Sequence, residues 1–144
     1  MIEIREAVLS DAEAISELNN SQLGYKFSAK DTYERLLILL ASEKDKIFVA
    51  AKEGKVVGYV HANDYDLIYF PHMKNIMGIA VNEQFKREGI GRMLISEVET
   101  WARNTNAAGI RLVSGATRTE AHGFYRHCGF SGEKNQINFK KMLD

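Results

Sequence analysis

Ile76-Met77-Gly78-Ile79-Ala80-Val81, followed four residues later by Lys86-Arg87-Glu88-Gly89-Ile90-Gly91-Arg92, joins two segments of opposite periodicity. The first run is short and apolar, as a buried strand is. Behind the second, Leu94, Ile95, Val98, Trp101 and Ala102 recur at helical spacing. A glycine-rich turn therefore carries a strand into a helix. Such a turn leaves the first N–H groups of the helix without partners and aims the positive end of its dipole at one point. Gly89 and Gly91 carry no side chain to hold a large anion away, and Lys86, Arg87 and Arg92 add positive charge. The expected ligand bears phosphate.

Working outward, Ile2 and Ile4 alternate with polar residues as an opening strand, with Val8 continuing the pattern. Ser10 or Asp11 is placed to cap a helix through Ala14, Ile15, Leu18 and Leu23, and Ser28 with Asp31 opens a second through Leu36 and Leu40. The runs 47–51 and 56–61, separated by Lys52-Glu53-Gly54-Lys55, read as a hairpin. Residues 62–74, which hold the one proline, Pro71, read as the end of a strand and a loop over a site. Downstream, Ile110 to Val113 makes another strand, and Thr117-x-x-Glu120 matches a capping box before a short helix. Gly129 stands where a left-handed cap belongs. Phe130 and residues 136–142 then read as closing strand. The expected order is β-α-α-β-β-β-α-β-α-β, an α/β (α+β) fold with a mixed central sheet flanked by helices.

The composition narrows the class of protein. A length of 144 residues fits a single domain over 1–144. Nineteen basic side chains balance nineteen acidic ones, which argues against wholesale binding to nucleic acid or to a membrane surface. The lone cysteine, Cys128, excludes an internal disulfide and suits a reducing cytoplasm. His122 and His127 give with it no recognised metal spacing, so no metal is expected.

The turn fails two familiar phosphate patterns. A Rossmann fingerprint needs a third glycine where Leu94 stands, and a Walker loop needs a Gly-Lys-Ser or Gly-Lys-Thr ending that is missing. A second motif, Ala121-His122-Gly123-Phe124-Tyr125-Arg126-His127-Cys128-Gly129-Phe130, puts a Phe-Tyr pair on a short helix stopped by Gly-Phe. Together the two motifs, in this order and across essentially the whole chain, resemble the GNAT superfamily of N-acetyltransferases. Lys86 stands where that family usually has Arg or Gln, and Arg118 where many members have Asn.

The resemblance implies acetyl-coenzyme A as donor, its pyrophosphate on the amides of Arg87, Glu88, Gly89, Ile90, Gly91 and Arg92, with Lys86 as a cation at the start of the same binding motif. It also implies that the backbone of Ile79, Ala80 and Val81 holds the pantetheine arm. Tyr125 matches the family tyrosine that protonates the departing thiolate, and a phenol of pKa about 10 is still protonated at neutral pH. The implied partner is a small-molecule or peptide amine, and the family admits a homodimer. No carboxylate lies on Met77, Gly78 or Ile79, so the base that frees the amine is sought in His61, Asp64 and His72, or in ordered water. Asn19, Asn20, Tyr25, Tyr65, Asp66 and Tyr69 fall in regions that line the acceptor site in relatives, and Gly78 is expected to mark a bulge. Two other readings stand beside this one: a non-catalytic acyl-coenzyme A sensing module, and a transferase using another acyl donor.

Overall fold

A computed structural model describes all 144 residues, which divide into two compact units, Met1–Val113 and Ser114–Asp144. The first holds a five-stranded sheet in simple sequential order. Strands β1 (Ile2–Glu6), β2 (Asp45–Lys52), β3 (Lys55–Tyr65) and β4 (Met73–Val81) pair antiparallel, and β5 (Ile110–Leu112) joins β4 in parallel. The β2–β3 hairpin turns on Glu53 (φ 51°) and Gly54 (φ 81°), two left-handed residues whose twist matches that of the flanking strands. β3 runs to Tyr65, so the loop expected over 62–74 shortens to 66–72.

Helices α1 (Ala12–Leu23) and α2 (Ala29–Leu40) cover one face of this sheet. There Ile15, Leu18 and Leu36 pack with Ile47, Val49, Tyr59 and Ala80. Helix α3 (Ile90–Asn104) covers the other face, sinking Ile90, Leu94, Ile95, Val98 and Ala102. Strand alternation explains the division, because side chains two residues apart share a face. The cap expected at Ser28 forms, its Oγ accepting from the Asp31 amide at 3.0 Å, and the structure adds a left-handed C-cap at Gly24 that ends α1. Val8, by contrast, lies beyond β1 and is half exposed, and Asp11 caps by another route: its carboxylate takes the Val8 amide at 2.8 Å and a two-point bond from Arg5.

In the second unit, α4 spans Thr119–His127. The Thr117 capping box does not form, because the N-cap falls one residue later, at Arg118, and the helix begins at Thr119. The closing strand expected at Phe130 and 136–142 is also absent. Ile137 and Phe139 alternate as strand residues do but stand 79% and 85% exposed, and alternation without a ladder partner leaves no strand.

Candidate active site

β4 makes its hydrogen bonds unequally on its two sides. Toward β3 the ladder runs from Tyr65↔Met73 to Gly58↔Val81, interrupted where His61 pairs with Gly78 and Ala62 with Ile76. Met77 is the extra residue, so the bulge expected at Gly78 sits beside it. Toward β5, pairing stops at Ile76↔Leu112. The Asn82 amide donates to Val57 O at 2.8 Å, and alternation from that bond points the Ala80 amide and carbonyl to β3. The same groups of Ile79 and Val81 face the opposite side, where β5 has already ended. Of the three residues expected to hold a ligand arm through their backbone, two present free groups and Ala80 is engaged with β3.

That open edge leads directly into the phosphate turn. After a short 3-10 turn at Glu83–Phe85, Arg87 (φ 73°) and Gly89 (φ 80°) swing the chain through left-handed conformations into α3. At Gly89 a side chain would meet only Met93, at 3.9 Å, so the residue is needed for its dihedral rather than for space. Arg87 holds the same conformation at a steric cost of about 1 kcal/mol, the kind of strain kept at functional turns. The first intrahelical bond is Met93 N–H to Gly89 O, so the amides of Gly89, Ile90 and Gly91 precede the helix's own ladder. Ile90 anchors the turn, its side chain buried beside Gly58. Two acids in the turn are answered locally: Lys86 pairs with Glu83 at 2.9 Å and Lys52 reaches Glu88 at 3.0 Å. Neutralising Glu88 removes a charge that would repel a pyrophosphate. Lys52 is a partner the sequence gives no means of finding.

A pocket of about 280 Å³ opens between α1, α2 and the β3–β4 bulge. Ile15, Leu36, Leu39, Ile47 and Met77 form apolar walls. Among its polar groups, the Tyr59 hydroxyl donates a short hydrogen bond to Asn19 Oδ1, and burial pushes the phenol up to about 12 despite that bond. Thr32 donates to Ser28 O at 2.8 Å, and His61 Nε2 lies 2.7 Å from Asp45 Oδ1. A Cβ at Gly78 would stand 3.3 Å from the Tyr59 hydroxyl, so a larger residue here requires that side chain to give way by a few tenths of an ångström.

The sequence candidates sort accordingly. Asn19 and His61 line this pocket, while Asn20, Tyr25, Tyr65, Asp66 and Tyr69 do not. Asp64 and His72 are committed elsewhere: the buried Lys74 ammonium lies 2.5 Å from Asp64, 3.1 Å from His72 Nε2 and over the Trp101 ring at 3.8 Å. His72 in turn holds Asp66 at 2.6 Å, so this network ties down both ends of the 66–72 loop. Tyr65 is taken by Arg111, stacked 4.2 Å from its centroid.

In the second unit, Tyr125 is fixed by the helix end that follows it. Gly129 (φ 95°) donates to Arg126 O, and Phe130 donates to Tyr125 O at 3.0 Å, a complete Schellman closure. The Phe130 ring then meets the Tyr125 ring edge-on at 5.9 Å. Burial raises the Tyr125 pKa, with Arg118 pulling it down and Cys128 pushing it up, so the hydroxyl stays protonated at neutral pH. Arg126 forks onto Glu133 at 2.6 and 2.8 Å and keeps the turn closed.

The first unit thus joins a mixed sheet with a bulged strand, an open strand edge and a left-handed glycine turn feeding a helix. The sequence pattern of the acetyltransferase (GNAT) family matches residues 12–130, and the chain belongs to that family of acyltransferases. It is 30% identical to an aminoglycoside N(6')-acetyltransferase type 1 of Stenotrophomonas maltophilia, over 98% of this chain and 94% of that protein. It is 27% identical to an N-alpha-acetyltransferase of Sulfurisphaera tokodaii, over 91% and 81%. Among solved structures, AAC(6')-Iy in complex with the bisubstrate analogue CoA-S-monomethyl-acetylneamine superimposes with a TM-score of 0.87 at 19% identity, covering 99% of each chain. That likeness is one of fold.

Proposed function

We propose that this protein transfers the acetyl group of acetyl-coenzyme A to a primary amine of a small-molecule or peptide acceptor, by direct attack. The observation that carries the reading is the continuity of the open β4 edge with the Gly89 turn. A pantetheine arm can add to the edge as a strand would, through the groups of Ile79 and Val81, and end with its pyrophosphate on the amides of Gly89, Ile90 and Gly91. Lys86, Arg87 and Arg92 supply cationic side chains around that turn. The pocket at the Met77–Gly78 bulge lies on the same strand and suits the acceptor. We read residues 1–144 as one functional domain, because the family pattern runs through both compact units.

In this reading each group has one task. Backbone on β4 orients the thioester, the apolar pocket excludes water from the amine, and Tyr125 donates the proton that the leaving thiolate needs. Burial suits that role, since a phenol kept neutral still holds the proton it is to give. The test is thiol release from acetyl-coenzyme A across a panel of amines. Tyr125→Phe is expected to lower kcat by about 10²-fold or more while leaving the affinity for the coenzyme within about twofold. Equal turnover by the two proteins would remove Tyr125 from the mechanism. Coenzyme binding without turnover on any amine would favour a sensing module instead.

A further inference from the structure

One charged side chain lines the pocket without a protein partner. Arg35, an exposed residue of α2, makes no hydrogen bond or ion pair, even with Asp31 and Glu34 on its own helix, so its charge is met by solvent alone. Three other polar groups are engaged within the protein: Tyr59 with Asn19 Oδ1, Thr32 with Ser28 O, and His61 with Asp45. No carboxylate lines the cavity. An ammonium entering such a space gains no counter-charge, so the site favours a neutral amine, the form that attacks a thioester. A polycation would meet Arg35 with no acid to hold it. A carboxylate on the acceptor, in contrast, would find a guanidinium with its donors free for a two-point, charge-assisted bond.

Resting on the acetyl-transfer reading, we propose that the acceptor is a small amino carboxylate with an apolar body, its carboxylate on Arg35 and its amine at the Met77–Gly78 bulge. Leu36, Leu39 and Ile47 take the apolar body, and the pocket's size limits that body to a single side chain of moderate length. This departs from what the names of the aminoglycoside-modifying relatives would suggest, because aminoglycosides are polycations. It makes the product an N-acyl amino acid, whose lost positive charge the pocket never needed.

The experiment measures thiol release with matched acceptors: L-leucine against 3-methylbutylamine, L-phenylalanine against phenethylamine, and one aminoglycoside. Acetyl-coenzyme A binding is followed separately by calorimetry. The amino carboxylates are expected to exceed their carboxylate-free partners by about tenfold or more in kcat/KM. Arg35→Gln should erase that advantage chiefly through KM, and Arg35→Glu should turn the preference toward the amine without a carboxylate. Both variants should bind acetyl-coenzyme A as the parent does. Equal or reversed preference in the parent, turnover of the aminoglycoside alone, no turnover of either amino carboxylate by a protein that binds the coenzyme, or an inert Arg35→Gln would each overturn the proposal. Failure to bind acetyl-coenzyme A at all would overturn the acetyl-transfer reading itself.

Discussion

Asp11 is the side chain whose neighbours most clearly set its charge. Burial pushes its carboxyl pKa up, but the Arg5 fork, the Val8 amide and the Arg5 charge outweigh this and hold it below the ordinary value of 3.8. Arg5 shifts up in concert, chiefly through the same hydrogen bonds. A carboxylate whose pKa is depressed on folding binds more protons when unfolded, so stability rises with pH through this window. The contribution is complete above about pH 4 and disappears as the pH falls through the lower folded value. Asp11→Asn is expected to cost roughly 2 kcal/mol at pH 7 and much less at pH 2.5, read from urea midpoints at the two values. At this scale the sequence was legible where neighbours are close in the chain, as with Ser28 and Asp31 or Tyr125 and Phe130. It was silent on Lys52 with Glu88, Asp45 with His61, and Arg35. Their partners and surroundings come from distant strands and helices, and no local periodicity encodes such meetings.

Among the elements, the β3–α3 contact governs how the phosphate turn is held. A Cβ at Gly58 would lie 3.2 Å from Ala80 O, 3.3 Å from the Ile90 side chain and 3.4 Å from that of Val81. Ala80 O is tied into the ladder and cannot give way easily, so the strain passes to Ile90, the first residue of α3. Gly58→Val is expected to cost about 1–3 kcal/mol in thermal or urea unfolding, and to weaken acetyl-coenzyme A binding as the turn shifts. Strands and helices of this unit could be read because each buries one face and so writes its period into the sequence. The hairpin turn was readable for a different reason, since Glu53-Gly54 carries its own backbone requirement. The closing strand shows where this logic fails. Ile137 and Phe139 have the spacing of a strand, but a strand is completed by a neighbour, and pattern alone does not supply one.

For the molecule as a whole, formal neutrality and a pI near 6.9 give no long-range field to gather anionic ligands, so recognition falls to short-range features. The order of elements through α4 and the family's two motifs were both visible before any coordinates, since the turn and the short helix are contiguous in the chain. What the sequence could not express was which backbone groups the sheet leaves unused. The early end of β5 has a dynamic signature in the amide protons along β4. Ala80, bonded into the ladder, should exchange with deuterium slowly, while Ile79 and Val81 on either side exchange fast, so protection along the strand alternates residue by residue. Coenzyme A added in excess should slow Ile79 and Val81 and leave Ala80 almost unchanged, resolved by NMR at single amides. Uniform protection from 79 to 81 in the free protein would contradict the register. A strand that is half solvent and half sheet thus keeps a record, proton by proton, of which side awaits a guest.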